Sequence, residues 1–160
     1  MKKGISPAKA PRSQTAGRLL ISDKIDITMP ELSLVLVTPE RTLFDKPVAT
    51  IRVPLFDGSA GFYPGRAPLV GRLGIGELRL TDSSGTSESY FIDGGFVQVK
   101  GSVVSILTNA AVPTTDLSRK YAVAQLEEAK AERTKTDEQY AVASRRLEKA
   151  RKMLALASKD

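Results

Sequence analysis

GELRLTDSSGTSESYFID (76–93) decides the fold. Leu78 and Leu80 alternate with charged residues before SSGTS (83–87), and an apolar run resumes at Tyr90. Two alternating runs around a Gly/Ser turn spell an antiparallel hairpin, because successive side chains of a strand point to opposite faces. The pattern continues on both sides. In ELSLVLVT (31–38), Leu32, Leu34 and Leu36 point one way and Val35 and Val37 the other. VATIRVPLF (48–56) alternates through Ile51, Val53 and Leu55, and Pro54 predicts an edge or a bulge there. GFVQVKGSVVSILT (95–108) adds two short strands hinged at Gly101. Gly94 and Gly95, just before them, predict a tight turn or bulge. Residues 30–113 therefore read as an antiparallel sandwich or barrel.

From 114 onward the chain is alanine-rich and charged, without glycine or proline. Thr114 or Thr115 is expected to cap a first helix, with Leu117, Tyr121, Ala124 and nearly Glu128 on its face. TDEQ (136–139) is a capping box that opens a second helix. Along that helix Tyr140, Ala143, Leu147, Ala150, Leu154 and Ala157 form a narrow seam made to pack on one other helix. A two-helix hairpin buries little area, so its hold on the β domain is expected to be weak.

The chain has 160 residues, no cysteine and no histidine. Disulfides, thiol catalysis, Ser-His-Asp triads and Cys/His metal sites are excluded by composition. The net charge of +6 favours acidic partners. Residues 1–29, where Lys2, Lys3, Lys9, Arg12 and Arg18 precede any acid, read as a basic disordered tail or a start misassigned upstream of Met29. The acid-poor stretch also admits a transit peptide, and no apolar run has the ~20 residues a membrane helix needs.

TPERTLFD (38–45), DGSAGFYPGRAPL (57–69) and YFIDGGFVQV (90–99), followed by a helical hairpin, resemble the epsilon subunit of bacterial and chloroplast F-type ATP synthases, the counterpart of mitochondrial delta. The resemblance runs from Pro30 to Asp160. It implies a mainly β plus α fold: an N-terminal antiparallel β-sandwich of about ten strands (30–113) and a C-terminal two-helix regulatory hairpin (114–160). It also implies a non-catalytic subunit of the rotating central stalk, coupling the catalytic head to the membrane ring during proton-driven ATP synthesis. Its partners would be the gamma subunit, the c-subunit ring and the alpha/beta catalytic subunits. Its place would be the cytoplasmic face of a bacterial inner membrane, reached only through partners, with an organelle version as the variant.

Carried over by position, the resemblance assigns Asp57, Gly58, Ser59 and Ala60 to docking on the polar loops of the c ring, with Asp57 facing a ring cation. Arg66 stands where the family commonly has histidine, so its contact to gamma or ring differs. The loop is no phosphate cradle, since no Gly-Lys-Ser/Thr follows; Gly58, Gly61 and Gly65 read as turn glycines. Arg145, Arg146, Lys149, Arg151 and Lys152 have only Glu148 as local compensation. They read either as a solvated face or, by the resemblance, as a regulatory surface that meets an acidic segment of the catalytic beta subunits and restrains hydrolysis. Some family members bind regulatory ATP through an Ile/Leu-Asp-x-x-Arg-Ala motif. Asp116 and Arg119 match it, while Thr115 and Lys120 do not, and Arg145 or Arg146 could supply a phosphate contact. No other cofactor and no metal is expected. The rival reading is a basic nucleic-acid-binding module, disfavoured because clustered exposed aromatics are not evident in the strands.

Overall fold

The computed structural model describes residues 30–157. The expectations for residues 1–29 lie outside them. Eight strands form one hydrogen-bonded sheet: seven follow the order β2-β1-β7-β6-β5-β3-β4, and β8 pairs with β6 off that path. They are β1 (Leu32–Val37), β2 (Thr42–Val48), β3 (Thr50–Leu55), β4 (Gly58–Phe62), β5 (Leu69–Thr81), β6 (Ser87–Lys100), β7 (Val103–Leu107) and β8 (Ala111–Pro113). All pairs are antiparallel except β1 with β7, which is parallel.

The two layers of the sandwich come from one long hairpin. The first part of β5, Leu69–Leu73, pairs with Gly95–Val99, which β7 flanks; the second, Ile75–Thr81, pairs with Ser87–Asp93, which β8 flanks. Between the halves the inward face changes parity. The core takes Leu73 and then Leu78 and Leu80 from β5, and Ile92 and then Val97 and Val99 from β6. A regular strand cannot do this, because its faces repeat every two residues. Gly94 (φ +65°) and Gly95 (φ +115°) supply the irregularity, in a region open mainly to glycine. A Cβ on Gly95 would also strike the Leu107 carbonyl. Both strands keep their ladder through this hinge, so the expected count of about ten strands falls to eight among the described residues. Pro54 marks a register shift in the β3–β5 ladder between Arg52 and Leu55, the expected bulge.

A 3-10 turn (Thr114–Asp116) leads to α1 (Arg119–Ala131) and α2 (Asp137–Leu156). The α1 cap is Ser118, whose hydroxyl accepts from the Tyr121 amide at 3.3 Å, rather than Thr114 or Thr115. Thr114 instead donates to the Ser89 carbonyl, and Leu117 is extended and buried, so the chain must touch the sheet before it can coil. The inner face of α1 shifts accordingly: Ala122 is buried and Leu126 and Ala129 are half-buried, whereas Tyr121, Ala124 and Glu128 are exposed. At α2, Thr136 accepts from the Gln139 amide, while Gln139 reaches back to the Lys135 amide, one residue beyond a strict capping box. The α2 seam holds at Ala143, Leu147, Ala150, Leu154 and Ala157; Tyr140 is exposed and Met153 is buried. Ile75 and Phe91 turn away from the sandwich interior and pack with Leu117, Ala122, Met153 and Ala157. The hairpin is thus docked on the outer face of one layer.

Candidate functional site

Asp57 sits at the tip of the β3–β4 hairpin, where Leu55 pairs with Gly58, and it is exposed to solvent. Gly58, Ser59 and Ala60 form the start of β4, an edge strand whose one ladder among the described residues is with β3. An edge leaves one row of backbone donors and acceptors unsatisfied and available. Arg66 is exposed. Its guanidinium folds back to donate to the Gly61 carbonyl and lies 5.8 Å from the Phe62 ring centre, closing the loop on itself. The turn is made at Gly65 (φ +81°). Gly61, expected to turn, lies instead in β4 without a positive φ.

Beside this tip runs an apolar surface that the sequence reading did not single out. Phe96 faces Leu107 across β6–β7, Leu107 faces Val37 across β7–β1, and Arg72 faces Phe96 across β5–β6. Phe96 is 58% exposed and Phe56 71%, with the Arg72 guanidinium 4.7 Å over the Phe56 ring. The signal was present: Val97 and Val99 take the inward parity of β6, so a phenylalanine at 96 must face out. Phe56 and Phe96 line one groove with Arg72, between the sheet and α2. Phe96 is the one exposed phenylalanine within a described strand, and Phe56 follows the end of β3. Large exposed apolar patches mark partner surfaces.

The basic residues of α2 divide. Lys149 and Arg145 donate to Asp93 at 2.6 and 3.4 Å. Arg146 donates to both carboxylate oxygens of Glu132 at 3.2 Å, and Lys152 pairs with Glu148 at 3.6 Å. Arg151 has no ion pair among the described residues. Local compensation therefore extends beyond Glu148, because the fold brings Asp93 and Glu132 to the same helix.

The candidate nucleotide residues do not converge. Asp116 ends the 3-10 turn and accepts from the Thr115 hydroxyl at 3.3 Å, and Arg119 opens α1. The cleft between the helices is lined by Tyr121, Glu128, Glu132, Arg146 and Lys149, without Asp116 or Arg119. Arg145 faces the sheet. Arg146 is already paired with Glu132, and Glu128 lines the same cleft.

The hinge hairpin carries displaced titrations. Hydrogen bonds from Lys46 and then Tyr90 hold the Glu88 carboxyl below its ordinary range. Burial pushes the Tyr90 phenol up to about 12, and the Glu88 hydrogen bond adds to it. Burial raises Glu77, but hydrogen bonds from Ser89 and Arg79 and the charges of Arg79 and Arg52 outweigh it and leave the group lowered.

A β-sandwich with a docked helical hairpin, an exposed edge tip and exposed apolar residues beside it defines a sandwich-and-hairpin class of protein, in which no described cluster of acidic side chains could hold a metal. Residues 31–114 match the model of the ATP synthase delta/epsilon chain β-sandwich domain. The chain belongs to that ATP synthase delta/epsilon family. It is 44% identical over 120 residues to an ATP synthase epsilon chain of Rhodopirellula baltica, covering 75% of this chain and 93% of that one. It is 32% identical over 108 residues to the epsilon chain of Prochlorococcus marinus, covering 68% and 79%. Its structure is similar to a chain in the Euglena gracilis mitochondrial ATP synthase assembly of OSCP, F1 and c ring, with a TM-score of 0.72 and 27% identity over 79% of this chain and 81% of that one. No described helix is long and apolar enough to cross a membrane.

Proposed function

We propose that this chain is the epsilon-type rotor subunit of an F-type ATP synthase, without an active site of its own. The sandwich joins gamma to the c ring, and the hairpin restrains ATP hydrolysis. The observation that carries the reading is the stripe of exposed Leu107 and Phe96 with half-buried Val37 and exposed Phe56, beside the Asp57–Ala60 edge tip. The stripe suits a packed, lasting contact with gamma. The polar tip suits a looser contact with the ring, where an exposed ion pair at Asp57 is worth only about 0.2–1 kcal/mol. The cations of α2 suit an acidic segment of the catalytic beta subunits, provided the helix lifts from the sheet. The complex works at the cytoplasmic face of a bacterial membrane, which this chain touches only through its partners.

The test is ATP hydrolysis by the assembled complex carrying either the full chain or a chain ending at Pro113. A several-fold rise without the helices is expected. Equal rates would remove the restraining role and leave the stalk role alone.

A further inference from the structure

We propose that Asp93 is an intramolecular latch: it holds α2 on the sandwich and, by standing in for an acidic partner, withholds Arg145 and Lys149 from any other carboxylate. Asp93 is 8% exposed, unusual for a carboxylate on the outer side of a sheet. Its position is fixed by its own backbone. The amide donates to the Ala110 carbonyl at 3.1 Å, and its carbonyl accepts from Asn109 Nδ2 at 3.0 Å. The two carboxylate oxygens are divided between two cations of one helix: Oδ2 takes Lys149 Nζ at 2.6 Å and Oδ1 takes Arg145 Nη2 at 3.4 Å. Residues 145 and 149 are four apart, so both cations stand on the same side of α2. The neighbouring glycine makes room, since a Cβ on Gly94 would come within 3.3 Å of Arg145 Nη2.

The latch is built to open. Two cations meet one carboxylate, so the docked face keeps a net positive charge and still attracts a second anion. Arg145 and Lys149 retain side-chain exposures of 54% and 37%, so solvent screens the pairs and they can exchange partners. Once α2 lifts, Asp93 meets water and carries no buried-charge penalty. Lys149 cannot stay 2.6 Å from Asp93 and also reach an acidic surface beyond the groove. Docking on the sheet and docking elsewhere are therefore mutually exclusive through the same two side chains. The latch rests on contacts within this chain; only its effect on hydrolysis rests on the function proposed above.

The test is hydrogen exchange of the isolated full chain as wild type, Asp93→Asn, Lys149→Gln and the double variant. A helix freed from its docking partner is marginal in water, so release appears as faster exchange across α2. Each single variant should speed α2 exchange about three- to tenfold while the β1 and β7 amides keep their protection. The double variant should exchange no faster than the faster single one, because both remove the same contact. Unchanged α2 exchange in Asp93→Asn, or additive effects in the double variant, overturns the latch. Should Asp93→Asn also loosen β7, Lys149→Gln decides alone, since it alters only the helix: selective release of α2 supports the latch and none overturns it. In the assembled enzyme, Asp93→Asn should lower ATP hydrolysis by freeing both cations. Faster α2 exchange with unchanged hydrolysis leaves the latch standing and overturns the restraining role.

Discussion

Inside the sandwich, Leu34, Leu36, Val53, Phe62, Leu78 and Ile106 are wholly removed from water and come from five different strands. Beneath the hairpin, the buried residues contributed by the helical region are Leu117, Ala122, Met153 and Ala157, set against Ile75 and Phe91. A fully buried leucine or phenylalanine is worth about 1.5–3 kcal/mol, and an alanine methyl a fraction of that. The β domain is further bound by ladders that no single element can leave. The hairpin has a thin apolar contact and a pair of screened ion pairs. One chain thus joins an all-or-none body to an element whose detachment is inexpensive. Residue size contributes to that difference: Ala122 and Ala157 make up half of the buried residues that the helical region brings to the contact, whereas the sandwich core is filled by leucine, isoleucine, valine and phenylalanine.

The strongest way to break the contrast is at the hinge that makes the body whole. Gly95→Ala places a methyl against the Leu107 carbonyl at a φ of +115°. We expect about 4 kcal/mol or more of lost stability, from strain and steric conflict together. In urea unfolding, strand and helix signals should be lost in one transition at much lower denaturant. A cost below about 1 kcal/mol would mean that the two layers do not depend on this hinge.

Phe91→Ala addresses the other side of the comparison. Phe91 is completely buried, yet toward the helices rather than the core. Truncation of a buried phenylalanine costs about 3–5 kcal/mol, and the lower figure applies here because α2 can lift instead of leaving a cavity. The expected outcome is early loss of helix protection while the β1–β7 ladder persists. Simultaneous loss of both would show the hairpin to be part of the same cooperative unit.

These two positions also show what the sequence could disclose. The alternation in 31–38 and 76–93 carries its own period, so strand identity and the interior residues were legible. The DGG run announced an irregularity, but not that the inward parity changes there. That change requires knowing that both long strands continue through it. Phe96 therefore reads in the sequence only as a strand residue, and its outward face follows once both strands are traced. Asp93 escapes a local reading for a related reason. Its partners lie 52 and 56 residues away on another element, and no local spacing links a carboxylate in a strand to cations on a distant helix. The Asp57–Ala60 tip was legible as an exposed connection because Asp and Gly favour turns. The Leu117 contact, which moved the α1 cap to Ser118, is tertiary and overrides local capping preference.

The smallest expected effect sharpens the comparison by pH, because Glu77, Asp82, Glu88 and Tyr90 all belong to the β5–β6 hairpin. Glu77 and Glu88 lie below their ordinary value of 4.5 when folded. A carboxyl lowered by folding binds its proton more readily when unfolded, so its stabilisation is present above pH about 4.5 and is lost as pH falls through the folded value. Tyr90 has the opposite sign. Its phenol rises from 10.0 to about 12 on folding, so its contribution is complete below pH 10.0 and is lost as pH rises toward 12. The Glu88 and Tyr90 groups are partly exposed, and screening reduces each effect to less than about 1 kcal/mol. Stability measured by urea unfolding should therefore decline gently on both flanks, with the loss read in the strand signal. Glu88→Gln should flatten the acid flank and reduce the alkaline one, since the same carboxylate helps to raise Tyr90. Tyr90→Phe should remove the contribution of Tyr90 to the alkaline flank while leaving the Lys46–Glu88 pair (2.5 Å) to sustain much of the acid one. If both substitutions leave the two flanks as they were, the titrations that shape the sandwich lie elsewhere in the chain.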